Sequence, residues 1–508
     1  MPEIIVDGRG VRVRDGATLL DAARSLGIAI PTLCFREGLL HQASCMVCLV
    51  EDERTGRLVP ACSTQASEGD RVRTGGERAA AARRRAVEFL LAEHDGDCEA
   101  PCTRACPAHA DIPSAIRRIA SGDRRAALEK LLERLPLAWT LAVICPAPCR
   151  QACRRKRVDS AIDICGLKRA AAETGLAGPE PFTPAPSPPT GRRVAIVGAG
   201  PAGLSAAYFL ALEGHRCLVF DGRDRPGGEM PAPPEALDAL DADVGVLRRL
   251  GVEFRLGHTV AAGRDIEELK AGHDALVLAT GSCESCAALL PDGGSGDRAG
   301  VFACGNAALE RPTRLAVRSV AEGRKTARSV GAFLAGDPAE PEPRRFDSHR
   351  GALSPEDLAL LAGRAAAKGP SRPAPQADPV VAEALRCLDC DCLRKETCRL
   401  RRLADELGAD ARRFAGSEER RIEIVAASSG LSLENGKCIR CGICVRIAEA
   451  AGDRPGLSFS GRGPYLRVRV PFGDDLGTAL PTSAAACVAA CPTGALAWDP
   501  AMRKEPEA

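Results

Sequence analysis

Alternation of apolar and polar residues opens the chain and then gives way to helical spacing. Residues 1–16, MPEIIVDGRGVRVRDG, predict a half-buried strand and a turn, and residues 18–34 predict a helix that leads into a cysteine. Apolar residues recur at helical spacing between the cysteines of residues 98–165. Residues 191–228 predict a strand, a glycine-rich turn, a helix and a second strand. These patterns indicate a multidomain protein of the α/β and α+β classes.

Two further apolar strands stand close together in the middle of the chain. Residues 276–281 predict a buried strand that ends in Ala-Thr-Gly, and residues 300–306 predict a second strand that ends in a glycine turn. Only residues 282–299 separate them, a glycine-rich stretch with Cys283 and Cys286. The other two isolated thiols, Cys217 and Cys304, lie on apolar strands and are predicted to be core residues.

Hydropathy and charge exclude several classes of protein. No apolar run reaches about 18 residues, so no membrane span is predicted. The first residues lack the apolar core of a signal peptide, which favours a cytoplasmic location. Lys and Arg total 69 and Asp and Glu total 67, so nothing predicts binding to nucleic acid or to an anionic membrane.

The number and spacing of the cysteines are the most informative feature of the sequence. The chain has 24 cysteines, clustered at two- and three-residue intervals, whereas aromatic residues are only 3%. A disulfide framework is the alternative, but it suits small secreted domains. Close spacing in an unsecreted chain favours metal ligation, and bound clusters would supply folding energy that a poor apolar core lacks.

Proline-rich stretches predict the domain bounds. Residues 178–191, 336–343 and 368–379 are rich in proline and predict semi-extended linkers. The predicted order is a [2Fe–2S] domain, a helical two-cluster domain, a linker, a dinucleotide domain, a second linker, a Cys-rich segment and a ferredoxin-like domain, at 1–78, 79–177, 178–190, 191–336, 337–380, 381–415 and 416–500.

The first cysteine set predicts a [2Fe–2S] cluster. Its spacing places two ligands on one tight loop and two farther away: Cys34, Cys45, Cys48 and Cys62. The set resembles the β-grasp-type ferredoxin domain at the N-terminus of the large iron–sulfur subunit of NADH:quinone oxidoreductase and of iron-only hydrogenases. Ala43 and Met46 stand where that family usually has Gly and Arg. Zinc is the alternative metal.

The second set resembles the two-cluster domain of the glutamate synthase small subunit and of dihydropyrimidine dehydrogenase. The resemblance rests on CP followed by DIP, on ICPAPC and on a closing LKR. It implies two [4Fe–4S] clusters with interleaved ligands: Cys98, Cys102 and Cys153 for one, and Cys106, Cys145, Cys149 and Cys165 for the other.

The first of these clusters lacks one ligand. The family's CxxC would begin at Asp95, and His94 lies beside it in FLLAEHDGDC. That phrase resembles the NADH:quinone oxidoreductase subunit, in which a histidine binds a cluster. Both residue types bind iron, and a solvent-facing histidine at a helix end is the third interpretation.

A dinucleotide fingerprint follows the first linker. Gly198, Gly200 and Gly203 form GxGxxG around Pro201 and Ala202, and place a pyrophosphate at a helix N-terminus. Asp221 ends the next strand and is predicted to bind ribose hydroxyls. The whole region resembles the FAD domain of the glutamate synthase small subunit, which implies FAD as the occupant. The resemblance adds the following flavin-binding residues: Gly227, Gly228, Gly281, Gly305 and Asn306, where the family usually has Asp at position 306.

The short spacing between the two central strands indicates a missing domain. In the resembled family a nicotinamide-binding unit lies between these two phrases. The 18 residues from 282 to 299 are too few for a βαβ unit, which needs about 30. NAD(P)H is therefore not expected to bind directly. Cys283 and Cys286 are read as loop thiols, or as a redox pair.

Two cysteine sets lie in the last third of the chain. The first predicts a [4Fe–4S] cluster or a zinc ion on Cys387, Cys390, Cys392 and Cys398. The second resembles half of a bacterial ferredoxin and implies one [4Fe–4S] cluster on Cys438, Cys441, Cys444 and Cys491, with Cys487 as a spare thiol.

The predicted function is electron transfer by an iron–sulfur flavoprotein. FAD, one [2Fe–2S] cluster and three [4Fe–4S] clusters are expected, or four if residues 387–398 bind a cluster. The chain is expected to serve as a subunit beside hydrogenase-, dehydrogenase- or ferredoxin-type partners. No catalytic residues for a carbon substrate are predicted. Electron bifurcation at the flavin and a non-catalytic scaffold are the alternatives.

Overall fold

A computed structural model describes most of the chain. The described residues are 1–40, 42–231, 233–261, 263–281, 300–308, 314–338, 345–367, 378–414, 422–427, 430–473 and 475–499. They form two compact units. The first unit comprises residues 1–99, 345–360 and 390–508, and the second comprises residues 100–344 and 361–389. Cys283 and Cys286 lie outside the described residues.

The described residues form fifteen strands, which are numbered in chain order. Their bounds are β1 Glu3–Val6, β2 Arg9–Arg12, β3 Leu49–Asp52, β4 Leu58–Pro60, β5 Arg71–Arg73, β6 Arg193–Val197, β7 Arg216–Phe220, β8 Glu253–Arg255, β9 Ala275–Leu278, β10 Val301–Ala303, β11 Ile424–Ala426, β12 Leu431–Glu434, β13 Ser458–Ser460, β14 Arg467–Arg469 and β15 Leu496–Trp498.

The α-helices of the described residues are numbered in the same way. Their bounds are α1 Leu19–Ser25, α2 Glu77–Glu93, α3 Pro101–Ala105, α4 Ile112–Ala120, α5 Arg124–Leu132, α6 Ala138–Ile144, α7 Pro148–Gln151, α8 Ile164–Leu176, α9 Pro201–Leu212, α10 Pro234–Arg249, α11 Arg264–Gly272, α12 Ala316–Ala335, α13 Pro355–Ala367, α14 Pro379–Leu385, α15 Arg399–Leu407, α16 Ile443–Ala450, α17 Leu476–Ala479 and α18 Ala484–Ala490.

The first unit begins with the predicted strand, turn and helix. Strands β1 and β2 form a hairpin in a five-stranded sheet of order β2-β1-β5-β3-β4, in which β1 and β5 are parallel. Helix α1 begins at a capping box, in which the side chains of Thr18 and Asp21 each accept the backbone N–H of the other residue. Its apolar residues Leu19, Leu20 and Ala23 are buried against the sheet.

The C-terminal part of the first unit packs on the loop that carries the first cysteines. Strands β11, β12 and β15 form an antiparallel sheet, which helices α16 and α18 accompany. One apolar core contains Leu33 and Val47 from the first cysteine loop, Leu400 and Leu403 from α15, and Leu433 from β12. Residues at both ends of the chain therefore share a core.

The second unit combines a helical region with a parallel sheet. Strands are ordered β10-β9-β6-β7-β8, and all of their pairings are parallel. One core runs from the helical region, through Ile116 and Leu141, to one face of the sheet at Val194 and Val277. Residues 178–190, which connect the two regions, contain no helix or strand, in agreement with their proline content. The predicted linker 337–380, in contrast, contains helix α13.

Candidate cofactor sites

The four thiols of the predicted [2Fe–2S] set lie together in the first unit. Cys34, Cys45, Cys48 and Cys62 are all at most 4% exposed, and the Sγ atoms of Cys48 and Cys62 are 3.3 Å apart. Ala43 and Met46 on the loop have φ angles of 49° and 52°, in the left-handed region that suits glycine. The geometry explains the glycine that the resembled family has at position 43, and Ala43 adopts the same turn at a cost in strain.

Hydrogen bonds among these four thiols shift their pKa values in opposite directions. The bond with Cys45 lowers the pKa of Cys34, and the bonds with Cys34 raise the pKa of Cys45 and of Cys62. The hydrogen bond with Cys62 lowers the pKa of Cys48 to about 7. Four buried thiols so close together cannot all ionise without a compensating positive charge, which iron ions supply when thiolates coordinate them. The donor set therefore fits the predicted cluster.

A second thiol group lies in the helical region of the second unit. Burial raises the pKa of Cys149, and the neighbouring thiols of Cys106, Cys145 and Cys165 contribute to its value of about 12. Lys168, one turn along α8 from Cys165, acts in the opposite direction on both thiols. The four cysteines that the resemblance assigns to one cluster are thus neighbours. Lys168 belongs to the closing LKR on which the resemblance rests, but no role was predicted for it.

A third thiol group surrounds a small cavity in the ferredoxin-like region of the first unit. A cavity of about 20 Å³ is lined by all four of the predicted ligands, Cys438, Cys441, Cys444 and Cys491. Burial raises the pKa of Cys444, and the other three thiols add to the effect. Cys487 does not line the cavity, and its thiol donates to the Cys444 carbonyl oxygen at 3.5 Å. This placement matches the prediction of a spare thiol.

The remaining predicted ligands are divided between the two units. Cys98, Cys390, Cys392 and Cys398 lie in the first unit, whereas Cys102, Cys153 and Cys387 lie in the second. In the second unit, Arg155 donates to the carbonyl oxygen of Arg386 at 2.9 Å, which holds Cys387 against the helical region near Cys153. The division between the two units falls between Cys387 and Cys390, and the ligand set of the Cys387–Cys398 segment stays a prediction.

His94 and Asp95 have different surroundings. Arg350 Nε lies 2.8 Å from Asp95 Oδ1, and both side chains are about nine-tenths buried. Asp95 is therefore committed to an ion pair. Burial, aided by the charge of Lys437, lowers the pKa of His94 to about 4. Its imidazole is neutral at pH 7, which is the form that binds metal.

Two features are absent from the described residues: a single-ion metal site and a membrane-spanning helix. No three His, Cys, Asp or Glu side chains in these ranges are placed to hold a single metal ion. No helix within them is long and apolar enough to cross a membrane.

The glycine fingerprint of the second unit joins β6 to α9 as predicted. A Cβ at Gly198 would lie 2.3 Å from the Ala279 carbonyl oxygen, and one at Gly203 would lie 1.9 Å from the Gly198 carbonyl oxygen. Both positions thus require glycine. Beside them, Gly200 and Gly228 approach each other closely, since a Cβ at Gly228 would lie 3.0 Å from Gly200 Cα. Because Gly200 and Gly228 have no side chains, the backbone N–H groups are accessible where a pyrophosphate would approach the helix N-terminus.

A large cavity extends from this fingerprint. Its volume is about 1050 Å³, large enough for a dinucleotide. It is lined by predicted residues, namely Gly198, Gly200, Pro201, Ala202, Asp221, Gly228, Gly281 and Asn306. Asp221 accepts the backbone N–H groups of Ala199 at 2.7 Å and Arg223 at 2.9 Å, which fixes its carboxylate at the cavity wall.

Three predicted residues of the set do not line this cavity. Gly203 packs α9 against the Gly198 carbonyl, and a Cβ at Gly227 would lie 2.8 Å from Leu240. Gly305 has a φ angle of 65°, and a Cβ there would lie 2.5 Å from Ala202. The lining also includes residues outside the predicted set of flavin-binding residues: Arg223, His258, Thr259, Arg314 and Ser319.

The two central strands are direct neighbours. Strand β10 pairs with β9 in parallel, with Val301 opposite Leu276 and Ala303 opposite Leu278. The first turn of α12 adds Ala316 and Ser319 to the cavity wall, so the N-terminus of a 20-residue helix faces the cavity. Cys217 and Cys304 are at most 3% exposed, as predicted for core thiols, although Cys304 also lines the cavity.

Three protein-family models match consecutive parts of the chain. Residues 3–77 match a 2Fe-2S iron–sulfur cluster binding domain, and residues 86–178 match domain II of dihydropyrimidine dehydrogenase, a 4Fe-4S cluster domain. Residues 196–247 match an NAD(P)-binding Rossmann-like domain. The predicted fold class and resemblance are confirmed for these regions. The nucleotide that occupies the Rossmann-like domain is not fixed by the match.

Curated relatives are subunits of oxidoreductases. The chain is 37% identical over 192 residues to the NADPH-Fe(3+) oxidoreductase subunit beta of Geobacter sulfurreducens strain DL-1 / KN400, covering 37% of this chain and 29% of the relative. It is 35% identical over 210 residues to the NADP(+)-dependent formate dehydrogenase subunit beta of Moorella thermoacetica, covering 36% and 29%.

A third relative belongs to the family that the sequence resembles. The chain is 32% identical over 184 residues to the NADPH glutamate synthase small chain of Bacillus subtilis strain 168, covering 35% of this chain and 37% of the relative. The chain thus spans about a third of the length of these relatives.

Proposed function

We propose that this chain is an FAD-dependent iron–sulfur subunit that carries electrons between a redox partner and an acceptor within a larger oxidoreductase complex. The main support is the combination of one dinucleotide cavity with groups of buried cysteines in both units. Bound FAD exchanges electrons in pairs or singly, and iron–sulfur clusters exchange them singly.

Residues at the two ends of the cavity support FAD as its occupant. At one end, Asp221 and the Gly198–Gly203 turn offer a carboxylate and bare backbone N–H groups to the ribose and pyrophosphate. At the other end, Asn306 and the N-terminus of α12 face the remaining space. A helix N-terminus favours negative charge and would orient and polarise a ring system there. The whole cavity suits a dinucleotide with two extended halves.

Reduction of this flavin is assigned to protein partners. Strands β9 and β10 are paired, and the chain between them has 22 residues, from 279 to 300, too few for a second nucleotide-binding βαβ unit, which needs about 30. Nicotinamide needs such a unit to hold its ring at a fixed distance from the flavin. Electrons would therefore enter through clusters from a hydrogenase-, dehydrogenase- or ferredoxin-type partner. The relatives named as beta subunits and small chains support a place in such an assembly.

Cofactor analysis of the purified chain tests this proposal. The protein would be purified without oxygen, denatured, and its released nucleotide identified by chromatography, with iron and acid-labile sulfide measured on the same sample. The expected result is one FAD per chain and about 14 to 18 iron atoms. Tightly bound NAD or NADP in place of FAD, or fewer than about 10 iron atoms after reconstitution, would contradict it.

A further inference from the structure

We infer that Cys98, Cys392 and Cys398 hold one [4Fe–4S] cluster in the first unit, with His94 as its fourth ligand. This grouping differs from the two that the sequence predicts, because it removes Cys98 from Cys102 and Cys153 and divides the Cys387–Cys398 segment. It rests on the iron–sulfur part of the proposed function and is independent of the nucleotide.

Backbone hydrogen bonds bring the two chain segments together. The Cys392 N–H donates to the Cys98 carbonyl oxygen at 3.2 Å, and the Cys98 N–H donates to the Ser348 carbonyl oxygen at 3.0 Å. The Ser348 hydroxyl in turn donates to the Gly96 carbonyl oxygen at 2.8 Å. Hydrogen bonds to Ser348 thus fix the backbone at Gly96 and Cys98, and a further bond holds Cys392 next to Cys98.

All three thiols are buried. Cys98, Cys392 and Cys398 are 7%, 6% and 8% exposed. Cys398 Sγ donates to the Pro492 carbonyl oxygen at 3.9 Å, and Cys392 Sγ lies against Gly494, two residues farther along the same segment. The backbone bond from Cys392 to Cys98 brings the third cysteine to this place.

Two buried cations face these thiols. Lys437 is 5% exposed and lies close enough to Cys392 to offset part of the rise in the pKa of that thiol. Arg401 is 4% exposed, and its backbone N–H donates to Cys398 Sγ at 3.4 Å. Each cation also pairs with a carboxylate at 2.8 Å, Lys437 with Glu434 and Arg401 with Glu99. Cations so placed would balance the negative charge of a cluster held by thiolates.

The neighbouring backbone leaves room for sulfur. A Cβ at Gly494 would lie 2.1 Å from Cys392 Sγ, so only glycine fits beside this thiol. Gly494 closely follows Cys491, a predicted ligand of the ferredoxin-like cluster. In addition, the Arg399 N–H donates to the Pro492 carbonyl oxygen at 2.9 Å. The proposed site therefore adjoins the ferredoxin-like site, and single electrons have a short path between the two.

His94 is the fourth ligand that the local geometry favours. It lies on the same turn as Cys98, and a Cβ at Gly96 would lie 3.3 Å from His94 Nε2 and 2.9 Å from Lys437 Cε. Lys437 thus contacts the turn beside His94 while its charge acts on Cys392. Asp95 is engaged by Arg350, and Cys387 belongs to the other unit.

Iron counts on paired variants of the full-length chain test the grouping. Two cysteines of one cluster, when replaced together, cost about four iron atoms, whereas two from different clusters cost about eight. The inference predicts a loss of about four for Cys98→Ala with Cys392→Ala, and of about eight for Cys98→Ala with Cys102→Ala. The family-derived grouping predicts the reverse. Any other pair of results also overturns the inference.

Controls separate cluster loss from misfolding and from zinc. Cys487→Ala, a buried thiol outside the set, should lose no iron, and each paired variant should keep the [2Fe–2S] electron paramagnetic resonance signal. Where an alanine pair fails to fold, the serine pair gives the same count. Loss of about one zinc ion with unchanged iron would assign the site to zinc and overturn the cluster.

A separate pair tests the fourth ligand. His94→Ala combined with Cys392→Ala should lose no more iron than Cys392→Ala alone, and His94→Cys should retain the cluster with an altered resonance signal. Full iron retention in His94→Ala, with loss of this cluster in Cys390→Ala, would overturn the assignment to His94. If the chain keeps this cluster but contains no FAD, only the flavin part of the proposed function fails.

Discussion

At the residue scale, two adjacent side chains that the sequence left as competing ligands have separate roles. His94 is partly buried and neutral beside Lys437, and Asp95 forms a buried ion pair with Arg350. We expect His94→Ala to lose one [4Fe–4S] signal while the [2Fe–2S] signal and the nucleotide remain. Asp95→Ala should keep all iron but destabilise the protein by about 3–5 kcal/mol, because Arg350 stays buried without its partner.

Iron analysis and thermal unfolding of both variants check this division of roles. Asp95→Asn is the matched control, since it keeps the shape of the side chain and removes only its charge. Loss of about four iron atoms from Asp95→Asn, with none lost from His94→Ala, would transfer the ligand role to Asp95.

A buried carboxylate in the second unit predicts a pH dependence. Asp243 accepts the Thr140 N–H at 2.8 Å and the Thr140 hydroxyl at 2.7 Å. Burial raises its pKa from 3.8 to about 7 despite these bonds. Between those two values the folded state holds a proton that the unfolded state has released, so stability falls as pH rises. The fall would total up to about 4 kcal/mol between pH 4 and 7.

Unfolding of the native chain and of Asp243→Asn, compared from pH 4.5 to 7.5, isolates this contribution. Asparagine does not titrate, so the stability of the native chain relative to the variant should decline across the range. Parallel pH profiles for the two proteins would show that Asp243 does not hold the proton.

At the element scale, the elements with strong local signals were predictable and the long-range docking was not. The β6–α9–β7 unit follows from its glycine spacing, and helix α1 lies within the helix predicted for residues 18–34. Helix α14, in contrast, binds the helical region through an Asp163 N–H bond to Glu383 at 2.7 Å, beside the Arg117–Asp389 ion pair at 3.3 Å. Such polar contacts join residues more than 200 positions apart and leave no periodic pattern in the sequence.

Packing of α12 on α9 predicts an effect on nucleotide binding. A Cβ at Gly323 would lie 2.2 Å from the Ala202 carbonyl oxygen, so Gly323→Ala must move the two helices apart. We expect a loss of about 1–3 kcal/mol in stability and weaker nucleotide binding, with iron unchanged. Gly363→Ala on α13 is the control, because nothing lies within 4 Å of its added Cβ.

Nucleotide titration and thermal unfolding of the two glycine variants measure this effect. Alanine at position 363 should leave binding unchanged and stability equal or slightly higher, since alanine favours helix more than glycine does. Equal nucleotide affinity in both variants would mean that the α9–α12 contact does not shape the cavity.

At the scale of the whole molecule, the sequence predicted the kinds of cofactor better than their grouping. Close spacing of Cys45 with Cys48 and of Cys438, Cys441 and Cys444 identified the [2Fe–2S] loop and the ferredoxin-like set, whose thiols the structure places together. Cys98 and Cys392 are far apart in sequence, and only the fold shows that they are neighbours. The family resemblance groups Cys98 with Cys102 and Cys153, and iron counts on the paired variants decide between that grouping and the one inferred from the fold.

We propose that electrons reach the FAD of this chain through its clusters, and we do not expect NADH or NADPH to reduce it directly. Anaerobic stopped-flow mixing of the isolated chain with excess NADH or NADPH measures this. Little or no flavin bleaching is expected with either nucleotide, and rapid bleaching is expected with reduced ferredoxin. Bleaching by NADH or NADPH at rates typical of turnover, about 1–1000 per second with no partner present, would contradict it.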